Sequence, residues 1–254
     1  MLTQTAGTVS AHNLETIGKY TEGVWLPIQE THLLEWMTKN RRAFRKNNVI
    51  TYQWKKQKAT MQAADKYLPK WREGIFVDIG GHVGLWSMWW AQQVTTVVAF
   101  EPVPSFRILY AANMQSNSNW TLIPLALADV KGSIDLRIDP HNSGSTRAYA
   151  KGEHHDVGTI TVDVDLLDNV MQNFTQNAPV TVIKIDCEGY EEKVLAGGEE
   201  TITKHRPIII VEQKQETKHF GFTRKGAVLL LETFGYVSVR ELSGDHIMVP
   251  KERL

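Results

Sequence analysis

The sequence predicts an α/β fold of the Rossmann-like kind: a mostly parallel, seven-stranded sheet ending in an antiparallel hairpin. Three observations carry that expectation. Apolar runs at 75–79, 95–100, 180–185 and 207–211 are too continuous for half-exposed strands and read as strands buried on both faces. The first of them runs straight into a glycine-rich turn and then a helix. At the end of the chain, 236–242 and 246–250 alternate in polarity around Ser243-Gly244-Asp245, the pattern of a hairpin.

The stretch GIFVDIGGHVGLW (74–86) organises the rest. Gly80, Gly81 and Gly84 stand where the backbone must turn sharply and admit a ligand close to a helix N-terminus, although a plain strand-turn-helix junction needs glycines too. Asp78 lies on an otherwise apolar strand, so it must meet turn amides or a cationic group of a ligand. Glu101 ends the second strand about 20 residues later, where doubly wound folds place the acid that grips a ribose diol. That pairing implies a nucleoside. The GxGxxG spacing of a dinucleotide site is broken by Ile79, whereas Asp78-x-Gly80-x-x-x-Gly84 suits a ligand without a pyrophosphate, S-adenosylmethionine.

A length of 254 residues with 42% hydrophobic composition allows one large domain, or one domain with an appendage. We read 1–70 as a basic, helical extension, a possible substrate cap, and 71–254 as the S-adenosylmethionine-binding domain. Lys plus Arg and Asp plus Glu balance at 28 each, so net charge points to no polyanionic partner. The exception is 39–58, where Lys39, Arg41, Arg42, Arg45, Lys46, Lys55, Lys56 and Lys58 occur without an acid, interleaved with Phe44, Tyr52 and Trp54. A solvated face is the ordinary cause of such a run; a nucleic acid is the partner it would otherwise suit. Cys187 is the only cysteine, which excludes disulfides and cysteine-zinc sites. With neither a signal-like N-terminus nor an apolar run of membrane-spanning length, the expected compartment is the cytoplasm, with no membrane partner.

In chain order, a short helix follows Pro27, capped by Thr31 and presenting Leu33, Leu34 and Met37 on one side. Glu30 and His32 flank that cap. They read first as capping and packing residues, and second as groups reaching over an active site to touch substrate. Helical spacing recurs between Tyr52 and Leu68 and stops at Pro69. Trp86, Trp89 and Trp90 form an aromatic stripe that we assign to core. After Glu101 and Pro102 comes a helix with Phe106, Leu109, Tyr110 and Met114 on its buried side, and then a strand at Leu122 to Ala126. The LALAD segment (125–129), with Ala126 and Leu127, is placed to line an adenine in this fold type. Residues 131–164 break the rhythm with two alternating strands and a long loop between them, of the length that functional loops have. That loop holds His141, His154 and His155 without ligand spacing, so no metal is expected. Asp186, Glu188 and Glu212 fall at the carboxyl ends of the later strands, the edge where open α/β sheets bind ligands.

From about 74 to 250 the chain resembles the FkbM-type methyltransferases, class I enzymes that use S-adenosylmethionine. The matching stretches are VDIGGHVGLWS, VVAFEPVPSFRIL, LALAD with the following KG, HNSGSTR, VDLLD, KIDCEGYEEKVLAGGEE through IIIVE, and DHIMVP. His82 replaces the middle glycine of the widespread DxGxGxG loop. The resemblance implies that Asp78, Gly80, His82 and Gly84 form the cofactor turn, that Glu101 holds the ribose hydroxyls and that the product is a methylated hydroxyl, often on a sugar or small metabolite. It places Asp186 and Glu188 beside the transferring methyl, with Asn142, Glu212 and His246 as nearby polar positions.

An alcohol nucleophile needs its proton removed as the bond forms, and Glu188, Asp186 and His246 are the candidate bases. Rival readings are a ribose 2'-O-methyltransferase using Asp186, Lys214 and an upstream lysine, a nicotinamide oxidoreductase, and a noncatalytic nucleoside-binding module. The acids of DCEGYEE oppose the first, and the loop spacing and terminal hairpin oppose the second.

Overall fold

The computed structural model describes residues 11–39, 44–46, 49–149, 158–176, 178–213, 220–221, 223 and 225–254. Among the described residues the extension carries three helices, α1 (Ala11–Ile17), α2 (His32–Lys39) and α3 (Trp54–Tyr67), and two antiparallel hairpins not anticipated from the sequence, β1–β2 (Gly18–Thr21, Val24–Pro27) and β3–β4 (Phe44–Lys46, Val49–Thr51). Its apolar residues Leu14, Val24, Leu26, Leu33, Met37, Ile50 and Ala64 belong to the same buried cluster as Phe76, Val97 and Tyr110. α2 is capped by Glu30 and not by Thr31: Oε1 of Glu30 accepts the Leu33 amide at 2.7 Å, while the Thr31 hydroxyl donates to the His141 carbonyl at 3.2 Å.

The main sheet contains β5 (Ile75–Ile79), β6 (Thr96–Phe100), β7 (Trp120–Ile123), β12 (Val180–Ile185), β13 (Ile208–Glu212) and the hairpin β14–β15 (Tyr236–Leu242, Asp245–Pro250). Its order is β14-β15-β13-β12-β5-β6-β7, parallel except for β15, which runs antiparallel to both β13 and β14. This is the expected seven-stranded architecture. Strand alternation feeds two cores. Ile75, Val77 and Ile79 face Val170, Ile202 and Leu231, whereas Phe76 faces the tryptophans of the first cluster and stacks on Trp90 at 4.4 Å. Trp86, Trp89 and Trp90 are all buried, as core residues should be, although α4 (Ser87–Trp90), which follows Trp86 and carries the other two, is a single turn.

The third strand stops at Ile123, short of the expected Ala126, because Pro124 cannot donate to a ladder. Ala126–Leu127 (β8) instead joins a second sheet with β9 (Gly132–Arg137), β10 (Arg147–Ala148) and β11 (Thr159–Asp165), in the order β10-β9-β11-β8. The break in rhythm at 131–164 is therefore a small sheet beside the main one. His154, His155, Arg41, Arg42 and Lys214 lie outside the described residues.

Candidate active site

The ends of β5, β6, β12 and β13 meet at one edge of the sheet. Gly80 has φ 73, and a Cβ there would lie 2.1 Å from the Asp186 carbonyl oxygen, so only glycine lets the β5 turn pass against the end of β12. Gly84 has a left-handed φ of 86, which favours glycine, and sits close against the Tyr110 ring, 3.1 Å from where its Cβ would be; it lines neither cavity described below. Asp78 is fully buried and, among the described residues, accepts no turn amide. The Ser87 hydroxyl donates to Oδ2 at 2.6 Å, and the Lys184 ammonium lies 3.2 Å from Oδ1. Lys184 also donates to the Gly80 carbonyl at 2.6 Å. Burial opposes its charge, but Asp78 and Asp186 outweigh that and hold it above the ordinary lysine range.

Glu101 is 5% exposed and accepts two amides, His82 at Oε2 and Val103 at Oε1, both at 2.8 Å. Burial dominates these hydrogen bonds and pushes its carboxyl up to about 7. The His82 ring is held down to about 4, chiefly by burial and then by Lys184. Glu191, the first residue of the helix Glu191–Ala196, shapes the DCEG turn through Oε1, which accepts Cys187 N at 2.9 Å and Gly189 N at 3.1 Å. Desolvation, with Glu191 adding to it, raises the Cys187 thiol well above its ordinary value and keeps it protonated.

Two cavities adjoin at this edge. One, of about 100 Å³, is walled largely by apolar groups, among them Phe100, Phe106, Leu125, Ile134 and Leu136, together with Glu101, Pro102, Ala126 and Leu127. The second sheet thus closes this cavity. The other, of about 330 Å³, is polar and is lined by His32, Tyr52, Gln53, Trp86, Asn142, Lys184 and Glu212. Gly80, His82, Gly144, Asp186 and Glu188 line both and form the seam between them. Carboxylate oxygens of Asp186, Glu188 and Glu212 lie within 4.8 Å of one another, a donor set of the kind that can hold a divalent cation.

Most of the expected site residues come together here. Asp78, Gly81, Asn142, His32 and Glu212 reach the polar cavity, while Glu101, Pro102, Ala126 and Leu127 reach the apolar one. Two do not. His246 lines neither cavity; its Nδ1 is 3.0 Å from the Ser238 hydroxyl on β14, and burial lowers its pKa. Glu30 is fully buried and holds Ser143 and Leu33. Lys184 and Ser143 were not singled out from sequence. A lone lysine in the apolar run VTVIKI was the available signal for the first, and its place in the family-matching stretch HNSGSTR for the second.

The strand order, with an antiparallel terminal hairpin and a glycine turn at the carboxyl edge, defines a class I methyltransferase fold. The methyltransferase FkbM domain model matches residues 78–238, more than half of the chain, and the chain belongs to that family. It is 24% identical over 145 residues to Methyltransferase 1 of Beauveria bassiana (strain ARSEF 2860), covering 49% of this chain and 58% of that protein. Among solved structures, the methyltransferase FkbM from Methylobacillus flagellatus KT aligns with TM-score 0.45 and 16% identity over 70% of this chain and 43% of its own. Methanococcus jannaschii fibrillarin, a pre-rRNA processing protein, aligns with TM-score 0.44 and 13% identity over 82% of each chain. Among the described residues no helix is long and apolar enough to cross a membrane.

Proposed function

We propose that the protein is an S-adenosylmethionine-dependent O-methyltransferase whose acceptor is a hydroxyl of a sugar or other small metabolite. The carrying observation is the pair of cavities joined along Gly80, His82, Gly144, Asp186 and Glu188, one apolar with a single buried carboxylate, the other polar. The apolar cavity suits a nucleoside: Phe106, Leu125 and Ile134 offer flat apolar contact to a purine, and Glu101, already held by two amides, is oriented to accept ribose hydroxyls. When bound, S-adenosylmethionine supplies an electrophilic methyl group on a sulfonium.

The chain's own residues do the rest. Glu101 and the turn fix the nucleoside, and the polar cavity holds the acceptor so that its hydroxyl is aligned at the seam. Glu188 or Asp186 takes the hydroxyl proton as the new bond forms, because both carboxylates line the seam itself. Acidity of the polar cavity weighs against a nucleic acid. It presents Asp186, Glu188 and Glu212, its Lys184 faces Asp78, and Lys56 of the basic run is 2.6 Å from Asp245 in an ion pair with little exposure. Calorimetry with S-adenosylhomocysteine, followed by mass spectrometry of metabolite extracts incubated with isotope-labelled S-adenosylmethionine, tests the proposal. Labelled products among low-molecular-weight hydroxyl compounds are expected; absence of S-adenosylhomocysteine binding, or label only in RNA, overturns it.

A further inference from the structure

Glu30 is fully buried yet lines neither cavity, and its carboxylate does more than cap a helix. Oε1 accepts the Leu33 amide of α2 at 2.7 Å. Oε2 reaches a segment 113 residues away, accepting the Ser143 amide at 2.6 Å and the Ser143 hydroxyl as well. The same Ser143 Oγ lies 2.9 Å from His82 Nε2. Three donors converge on Glu30, which leaves it acceptor only, so the single hydroxyl proton of Ser143 goes to Glu30. Ser143 Oγ must then accept from His82, which puts the ring proton on Nε2 and leaves Nδ1 unprotonated.

His82 ends this chain of hydrogen bonds at the wall shared by the two cavities. Its φ of 49 lies in the left-handed region, uncommon for a residue with a side chain. The backbone amide is held by Glu101, the ring by Ser143, and the Phe106 ring meets it edge-on with centroids 4.7 Å apart. The loop bearing Ser143 is further stitched to the extension by the Thr31 and His32 amides, which donate to the His141 carbonyl at 3.0 and 3.1 Å.

We infer that Glu30 is a positioning residue for the nucleoside cavity: through Ser143 it sets the tautomer and orientation of His82, and thereby the turn that presents Glu101. The extension, outside the 78–238 family match, is then a working part of the donor site as well as a wall of the acceptor cavity. The link between residues 30, 143 and 82 stands on geometry alone; its consequence for affinity rests on the S-adenosylmethionine reading.

The test is long-range ¹H–¹⁵N correlation of the histidine rings in the full chain, the His82 signals being assigned by their loss in His82→Ala. The wild type is expected to show a single Nε2–H tautomer. Ser143→Ala leaves the Glu30–Leu33 cap in place, and so serves where Glu30→Gln does not fold. Both variants are expected to show mixed tautomers and a roughly tenfold weaker affinity for S-adenosylhomocysteine, the scale of one lost hydrogen bond in a buried network. An Nδ1–H tautomer in the wild type, an unchanged tautomer in Ser143→Ala, or an unchanged affinity in that variant overturns the inference. If the wild type binds no S-adenosylhomocysteine, the donor reading falls, and the tautomer measurement still decides the link.

Discussion

Lys184 and Asp78 are cross-strand partners in the parallel pair β12–β5, and the Lys184 ammonium lies 3.2 Å from Asp78 Oδ1 with both side chains almost fully buried. Each is a lone charge on an apolar strand, and each is tolerated because the other stands beside it. Lys184→Met leaves the Asp78 charge uncompensated, and urea unfolding should show a loss of about 3–5 kcal/mol. Asp78→Asn combined with Lys184→Met should recover much of that loss, and equal losses in the single and double variants would show that the two charges are not coupled.

Gly80→Ala tests how closely β5 and β12 approach. The added Cβ meets the Asp186 carbonyl at 2.1 Å and also strains a φ of 73, so either the turn or the end of β12 must move. A lower melting temperature together with lost S-adenosylhomocysteine binding is expected. Normal affinity in a folded Gly80→Ala variant would remove the turn from the donor site.

The pH dependence of S-adenosylhomocysteine affinity follows from Glu101, whose carboxyl is raised by burial to about 7. Its ionised form, which on the proposed reading would accept ribose hydroxyls while still holding the turn amides, prevails above that value and is lost as pH falls through it. Affinity should therefore be highest near pH 8 and fall by up to about tenfold at pH 6. His82, held down to about 4, stays neutral over this range. Glu191 titrates near the same pH, so Glu101→Gln provides the control. Calorimetry should find weaker and pH-independent binding in that variant, and a persisting slope would assign the effect to Glu191.

Glu188→Gln keeps the shape of the side chain and removes its basicity. Turnover should drop by roughly 10² with S-adenosylhomocysteine affinity near normal, once the acceptor has been found from labelled products. Full activity would transfer the base role to Asp186. Activity abolished by a chelator and restored by a divalent ion would show instead that Asp186, Glu188 and Glu212 act as a metal site.

Apolar period and punctuation were enough to read the main sheet from the chain. The buried strands, the glycine turn, the acids at the strand ends and the closing hairpin are local patterns, and β5, β6, β12, β13, β14 and β15 lie where those patterns put them. The residues that gather around the two cavities were legible for the same reason, since strands of a parallel sheet bring their carboxyl ends to one edge. Partnership between distant residues was not. Asp78 called for a partner without naming Lys184, and Glu30 read as a cap or a substrate contact because Ser143 is 113 residues away. His246 entered only through the family resemblance, and in the fold its ring lies against Ser238 instead of the cavities. Burial of a charged or polar side chain is settled by whichever group of opposite character the folded chain brings within hydrogen-bond reach, and only the tertiary structure supplies that group.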